Sequence, residues 1–294
     1  MYRALADAIR DANARGHTLA QVAIDQEGRD QGRSAEDIRA SLTRALVVMR
    51  GAIGDGMVGD LYSASGLVGG DAAKLMTGPP GPLADTPFRD ILARALAVQE
   101  VNAAMGVIVA APTAGGAGVL PAVLTGLAKA RSVSEEKLVD GLATAGLIGA
   151  VIAERASLSG AEGGCQAETG AAAGMAAGAA TEMLGGSPSE VGHAVALTMQ
   201  GMLGLVCDPL GGLVELPCVF RNATGSAIAL AGIEMAMAGI TFAIPVDEVI
   251  DVMGEIGREM DVRYRETAGG GLAATPTGRR LAKERLYQIR RSSE

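Results

Sequence analysis

Three cysteines, Cys165, Cys207 and Cys218, are the side chains of this 294-residue sequence best suited to metal or redox chemistry. Forty-one residues separate the first two and ten separate the second pair, a spacing that matches no short zinc or redox motif. Their surroundings say more. Cys165 closes the run SLSGAEGGC (157–165), where glycines let backbone approach a bulky group and aim N–H donors at it. Cys207 and Cys218 stand beside prolines, in LVCDP and LPC, where a turning chain presents a side chain at small entropic cost. Three thiolates from separate turns could hold zinc, an iron–sulfur cluster or nothing. On spacing alone, buried inert thiols are the simpler alternative.

Two further glycine-rich segments could receive a small anion. PTAGG (112–116) reads as a turn exposing successive N–H groups at Ala114, Gly115 and Gly116, with the Thr113 hydroxyl beside them. SGLVGGD (65–71) is the second, opening on Ser65 and Gly66. Arg221 and Asn222, just after Cys218, could pair with a carboxylate or with sulfur. Groups able to move a proton are few. His17 falls in a charged N-terminal helix and is expected to be solvated, whereas His193 lies on an apolar helix and is a candidate base. Lys74, close to SGLVGGD, is the other candidate. Glu162 and Glu168 flank Cys165 and could support it from behind.

The elements that must position these groups read as helices. Ser34 precedes AEDIRASLTRALVVMR, and Thr86-Pro87 opens FRDILARALAVQE with proline at the first helical position. Ser132-Val-Ser-Glu135 and Ser187-Pro-Ser-Glu190 are capping-box patterns before apolar runs, and Pro245 opens another. Sustained strand alternation is missing. With 42 glycines, abundant alanine, three Phe, four Tyr and no Trp, the core must form from closely approaching helices. Gly170, Gly174 and Gly178, four apart, fit that packing. The expected fold is all-α or nearly so, a single domain over 1–294. Within it, 1–50 are N-terminal helices, 51–278 carry the site and 279–294 form a C-terminal helix or tail.

Charge narrows the function. The net charge is -8, and residues 101–250 carry 5 basic and 13 acidic groups, so no basic stripe exists for nucleic acid. Residues 101–128 are uncharged, but Asn102, Pro112, Thr113, Pro121 and five glycines break the run, which argues against a membrane span. The odd cysteine count and a charged N-terminus without an apolar signal core point to the cytoplasm.

Four blocks go further: SASGLVGGDAAKLM (63–76), NAAMGVIVAAPTAGGAGVLPA (102–122), SGAEGGCQAETGAAAGM (159–175) and HAVALTMQGMLGLVCDPLGGLVELPCVFRNATG (193–225). Together with ETAGGGLAATPTG (266–278), they resemble the alpha, catalytic chain of the iron–sulfur-dependent bacterial L-serine dehydratases. The resemblance implies that Cys165, Cys207 and Cys218 bind three irons of a [4Fe-4S] cluster whose fourth iron is left open for substrate. Three cysteine ligands suit that role, because clusters built for electron transfer usually take four. It implies conversion of L-serine to pyruvate and ammonia through aminoacrylate, with a metal-bound hydroxyl as leaving group. The substrate would contact Ser65, Gly66, Thr113, Ala114, Gly115, Gly116, Arg221 and Asn222, and His193 or Lys74 would supply the base.

Some single-chain relatives carry a further C-terminal cysteine that closes the open iron; this sequence ends RRSSE. In the resembled family a second region, on the same chain or on a beta subunit, contains a GPSSSHT-like segment whose histidine lies at the active site. Neither SSHT nor SHT occurs here, so a separate beta chain is the expected partner. Pyridoxal phosphate is not expected, because Lys74 sits in no Schiff-base signature. Two alternatives stand beside this reading: an L-cysteine desulfidase of related architecture, and a non-catalytic metal scaffold, which would show a fourth protein ligand.

Overall fold

The computed structural model describes residues 2–292, and among them every regular element is helical. The only extended pairings there are two isolated bridges, Tyr62 with Gly69 and Cys207 with Arg265. The last two residues of the expected 279–294 tail lie outside the described residues. Three helices open the chain: α1 (Leu5–Arg15), α2 (Leu19–Gln31) and α3 (Ala35–Met57). Thr18 and Gln21 form a reciprocal capping box on α2, and Ser34 accepts from the Asp37 N–H on α3. Gly16 ends α1 in the left-handed region, which places half-buried His17 in the connection to α2 rather than inside a helix. Helix α3 runs unbroken across position 50, so the N-terminal helices continue directly into the site-bearing part.

The next helices are α4 (Asp71–Thr77), α5 (Pro87–Ala103), α6 (Val119–Arg131) and α7 (Glu135–Arg155). Pro87 opens α5 as expected. The cap before α7 differs from expectation: Ser134 accepts from the Lys137 N–H, while Ser132 ends α6 at φ 51°. Both serines fit a cap, and the apolar phase of α7 selects the later one. The uncharged run 101–128 is divided between the end of α5, an irregular passage and α6. Among the described residues, no helix is long and apolar enough to cross a membrane.

After the single-turn α8 (Gly160–Gly163) and a π-helical turn at Gln166–Gly170 comes α9 (Ala171–Met183), the axis of the core. Every residue of α9 except Glu182 is buried, and α6, α7, α10 (Pro188–Met199) and α11 (Cys218–Met237) pack around it. Small side chains make this possible. A Cβ on Gly178 would fall 2.4 Å from Ile148 Cδ1, and one on Gly174 would fall 2.8 Å from Met199 Cγ. The glycine stripe is therefore a close-packing seam. Glu182 ties the layers together, accepting from the Leu19 and Ala20 N–H groups at the start of α2 and from the Thr144 hydroxyl. Helices α12 (Val246–Glu259) and α13 (Pro276–Ser292) complete the shell.

Candidate active site

All three cysteines are buried and none is in a disulfide. Each comes from a break between helices. Cys165 follows Gly164, whose φ of 76° and close neighbours Leu205 O and Met260 leave no room for a side chain, and it precedes the π-helical turn. Its Sγ lies 3.1 Å from Thr169 Oγ1. Cys207 is fixed by its backbone: its N–H donates to Tyr264 O and its carbonyl accepts from Glu266 N, each at 2.8 Å. Cys218 is the first residue of α11, after the cis Leu216–Pro217 bond.

The three thiols feel one another. Burial, and then the negative charge of Cys165, push the Cys218 thiol up to about 12 and raise Cys207 further. Burial raises Cys165 as well, against the Thr169 hydroxyl and the Arg221 guanidinium, which lower it. Glu168 and Glu266 contribute to the negative field at Cys207 and Cys218. Among the described residues, no three His, Cys, Asp or Glu side chains converge tightly enough to hold one metal ion.

Glu168 occupies the space between the thiols and the 112–116 turn. Its Oε1 accepts from the Thr113 hydroxyl at 2.9 Å, so that hydroxyl is engaged within the chain. Burial raises the Glu168 carboxyl above its usual range, and the Thr113 bond opposes the rise. Gly115 and Gly160 wall it in: a Cβ on either would fall within 2.9 Å of Glu168 Oε2. Glu162, the other acid flanking Cys165, is exposed and accepts from Ser157 Oγ at 2.6 Å.

The two glycine-rich segments are brought to the same end of α5. Gln99 Nε2 donates to Ala114 O at 2.9 Å, and Asn222 Nδ2 donates to Gly115 O at 2.7 Å and Cys218 O at 2.9 Å. Asn222 Oδ1 accepts from Gly118 N at 2.9 Å. Its amide is thus used up inside the protein, and its place is to hold the turn against α11 rather than to reach an external molecule. Gly116 packs on the Glu168 carbonyl. In the other segment, Gly66 is exposed at φ 68°, while Ser63 and Ser65 both donate to Glu215, Ser63 at 2.8 Å. Glu215 is buried three residues before Cys218, so it links the Ser65 loop to that cysteine. Arg221 Nη1 donates to Val206 O and pairs with Asp208 Oδ1, both at 2.8 Å, which braces the Cys207 turn. Asp208 Oδ2 in turn accepts from Leu272 N at 2.6 Å.

Both candidate bases make other contacts. His193 Nδ1 accepts from Phe242 N at 3.3 Å. Its neighbours Val191 and Val195 close on Gly178, whereas Met202 closes on Gly170, the residue after Thr169, whose hydroxyl touches Cys165. At 1.5 Å per residue, His193 stands about 12 Å farther along α9 than Gly170. The same displacement appears on α11, where Ala194 O faces Gly232, fourteen residues or roughly 21 Å beyond Cys218. The expectation that His193 neighbours the thiols is corrected: its antiparallel helix carries it to the far end. Lys74 is 70% exposed and paired with Asp71 at 2.9 Å. That bond raises its pKa, the opposite of what a general base needs.

Gln99, Glu100, Asp208 and Glu215 were not singled out by sequence reasoning. A signal was there to find. Gln99-Glu100 interrupts the apolar end of α5, and Glu215 is the sole charge between Asp208 and Arg221.

The chain matches the serine dehydratase alpha chain family over residues 14–273. It is 47% identical over 290 residues to a probable L-serine dehydratase alpha chain of Bacillus subtilis, covering 97% of this chain and 95% of that one. It is 38% identical over 280 residues to the L-serine dehydratase alpha chain of Peptoniphilus asaccharolyticus, covering 94% and 95%. An L-serine dehydratase of Streptomyces coelicolor is 42% identical over 268 residues, which is 88% of this chain but 58% of that longer one.

Proposed function

The chain belongs to the serine dehydratase alpha chain family, and from that premise we propose that it removes water and then ammonia from L-serine, giving pyruvate. The observation that carries the reading is the meeting of three buried, disulfide-free thiols from three separate segments beside two anchored glycine-rich loops. The donor set fits a [4Fe-4S] group. Burial and mutual repulsion make three thiolates costly in the bare protein, and several bound irons, each taking one thiolate, offset that cost. Cys165, Cys207 and Cys218 would hold the group, and it would supply a Lewis acid to the leaving hydroxyl.

The rest falls to this chain's own residues. The 113–116 turn, with the exposed Ala114 at its tip, offers backbone donors to the substrate carboxylate, and Gly66 lines the opposite loop. Arg221 and Asp208 hold the Cys207 turn rigid, and Asn222 holds the substrate turn against Cys218. Among the described residues around the thiols, Glu168 is the nearest carboxylate, already committed to Thr113. We assign removal of the α-proton to a separate beta chain that completes the open side. The relatives' names as alpha chains, and the greater length of the Streptomyces single chain, support that partner.

The test is anaerobic reconstitution of the full chain, followed by pyruvate assays on L-serine and L-cysteine with and without a beta chain. Brown protein that yields pyruvate from serine only when mixed supports the reading. Full activity from this chain alone removes the partner, and faster turnover of cysteine moves the reaction to thiol elimination. Retention of the cluster in Cys165→Ala, Cys207→Ala and Cys218→Ala refutes the ligand set.

A further inference from the structure

Two consecutive side chains at the end of α5 reach the two glycine-rich segments in different directions. Gln99 is fully buried, and its Nε2 sits 2.9 Å from Ala114 O, 3.4 Å from Gly115 O and 3.3 Å from Asn222 Oδ1. Its Oε1 accepts from Asn102 Nδ2, which also donates to Ala114 O, each at 3.3 Å. Glu100 is 1% exposed, and its Oε1 accepts from Asp71 N at 2.7 Å and Ala72 N at 3.2 Å. Successive residues on a helix point about 100° apart, so one turn can serve two neighbours at once. The far end of α4 is held by the same helix, because Arg89 donates to Leu75 O at 2.5 Å and Gly78 O at 2.8 Å. Helix α5 thus grips α4 with a carboxylate at its start and a guanidinium at its finish, matching the helix dipole.

Burying an ionised carboxylate is costly, and burial raises the Glu100 pKa while the Asp71 and Ala72 N–H groups resist the rise. Glu100 Oε2 has no hydrogen-bond partner. Mere burial of α5 would be served better by an apolar residue, so the retained carboxylate needs a positional reason. The Ser65–Asp71 loop and the 112–116 turn have no direct hydrogen bond to each other among those described; they share α5 and, on the other side, the Glu215–Asn222 segment around Cys218.

We infer that Gln99 and Glu100 are positioning residues whose side chains set the separation of the two glycine-rich walls, and through it the fit of a small hydroxyamino acid carboxylate. The inference rests on the proposed serine site for its substrate, while the tether itself does not depend on turnover. Cys165 and Cys207 are held by other contacts, and Gln99 reaches Cys218 only through Asn222, whose own bond to the Cys218 carbonyl does not need Gln99, so iron binding should survive loss of this pair.

The experiment uses the full, cluster-reconstituted chain and compares Gln99→Leu, Glu100→Ala and Glu100→Gln. Amide exchange should quicken by about tenfold at 70–72 in Glu100→Ala and at 115–118 in Gln99→Leu, as loss of one buried anchor implies. With the beta chain added, KM for L-serine should rise by roughly tenfold while kcat stays within about threefold, and iron per chain is unchanged. Glu100→Gln keeps the acceptor oxygen and should stay close to wild type in every readout. If Glu100→Ala does not fold, Glu100→Asp withdraws the carboxylate by one methylene and replaces it. Unchanged exchange in both segments overturns the tether, and lost protection with unchanged KM overturns its role in substrate fit. A wild-type chain that exchanges as described but never turns over serine refutes the proposed reaction and leaves the tether standing.

Discussion

Gly160→Ala places one methyl group where the site has least room. Gly160 is buried at the start of α8 with an ordinary φ, so alanine meets no backbone obstacle and gains at most about 0.5–1 kcal/mol from reduced chain entropy. The obstacle is the neighbourhood. Its Cβ would lie 2.7 Å from Glu168 Oε2, 3.0 Å from Glu168 Cδ and 3.1 Å from Cys207 Sγ, against ordinary contacts that begin at 3.4 Å. Glu168 cannot simply swing aside, because the Thr113 hydroxyl holds Oε1 and Gly115 closes the other flank. Overpacking of this kind costs about 1–3 kcal/mol, leaving a net loss of about 1–2 kcal/mol. The apo-protein should melt about 2–3 °C lower, and iron retained after reconstitution should fall by more than half, because Cys207 is displaced along with the carboxylate. Circular dichroism melting and iron analysis on the same preparations measure both. Gly54→Ala, on the exposed side of α3 with no atom within 4 Å of its Cβ, should instead stabilise slightly and keep full iron. Wild-type iron content and melting in Gly160→Ala would refute the tight apposition of Glu168 and Cys207.

Two further outcomes follow from the buried polar groups. Thr113→Val keeps the side-chain volume and removes the donor to Glu168, so KM for L-serine should rise by about tenfold without loss of iron, and an unchanged KM removes Thr113 from the site. Burial raises the Glu182 carboxyl above its usual range, so its ionisation opposes folding. The favourable contribution of its protonated form is complete below the unfolded pKa and is lost as pH rises through the folded one. Glu182→Gln keeps one oxygen for Ala20 N and the Thr144 hydroxyl, turns an amide NH2 toward Leu19 N, and removes the titration, so its melting temperature relative to wild type should move in the variant's favour from pH 4 to pH 7; a constant difference refutes this.

The helices were legible because their signals are local. Ser34, Thr86-Pro87 and the Ser187–Glu190 box act within one turn, and each caps the helix it precedes. Ser132 misled because two serines compete there, and the apolar phase of α7 decides between them. The cysteines and the two glycine-rich loops could be picked out because glycine, proline and thiol stand out in an alanine-rich sequence. His193 could not be placed, since its distance from Cys165 depends on how α10 runs back along α9, a matter of three-dimensional packing. Gln99, Glu100 and Glu215 escaped notice for the same reason. A buried glutamate looks like a surface one until its partners, 28 to 152 residues away in sequence, are brought to it.

The bracing of Cys207 has a consequence for how the protein is made. Besides the Arg221 brace, that residue is fixed by pairing with Tyr264 and Glu266, and its neighbour Asp208 is held by Leu272. A ribosome releases the chain from its N-terminus onward, so all three thiols emerge well before the segment that fixes the middle one. Until about residue 272 has cleared the exit tunnel, the thiols are loose reactive groups rather than a binding site. For the proposed cluster, iron delivered before that point would meet an unfinished frame. For recombinant production, supplying iron and sulfide late, to chains already folded without air, follows from the same order of events.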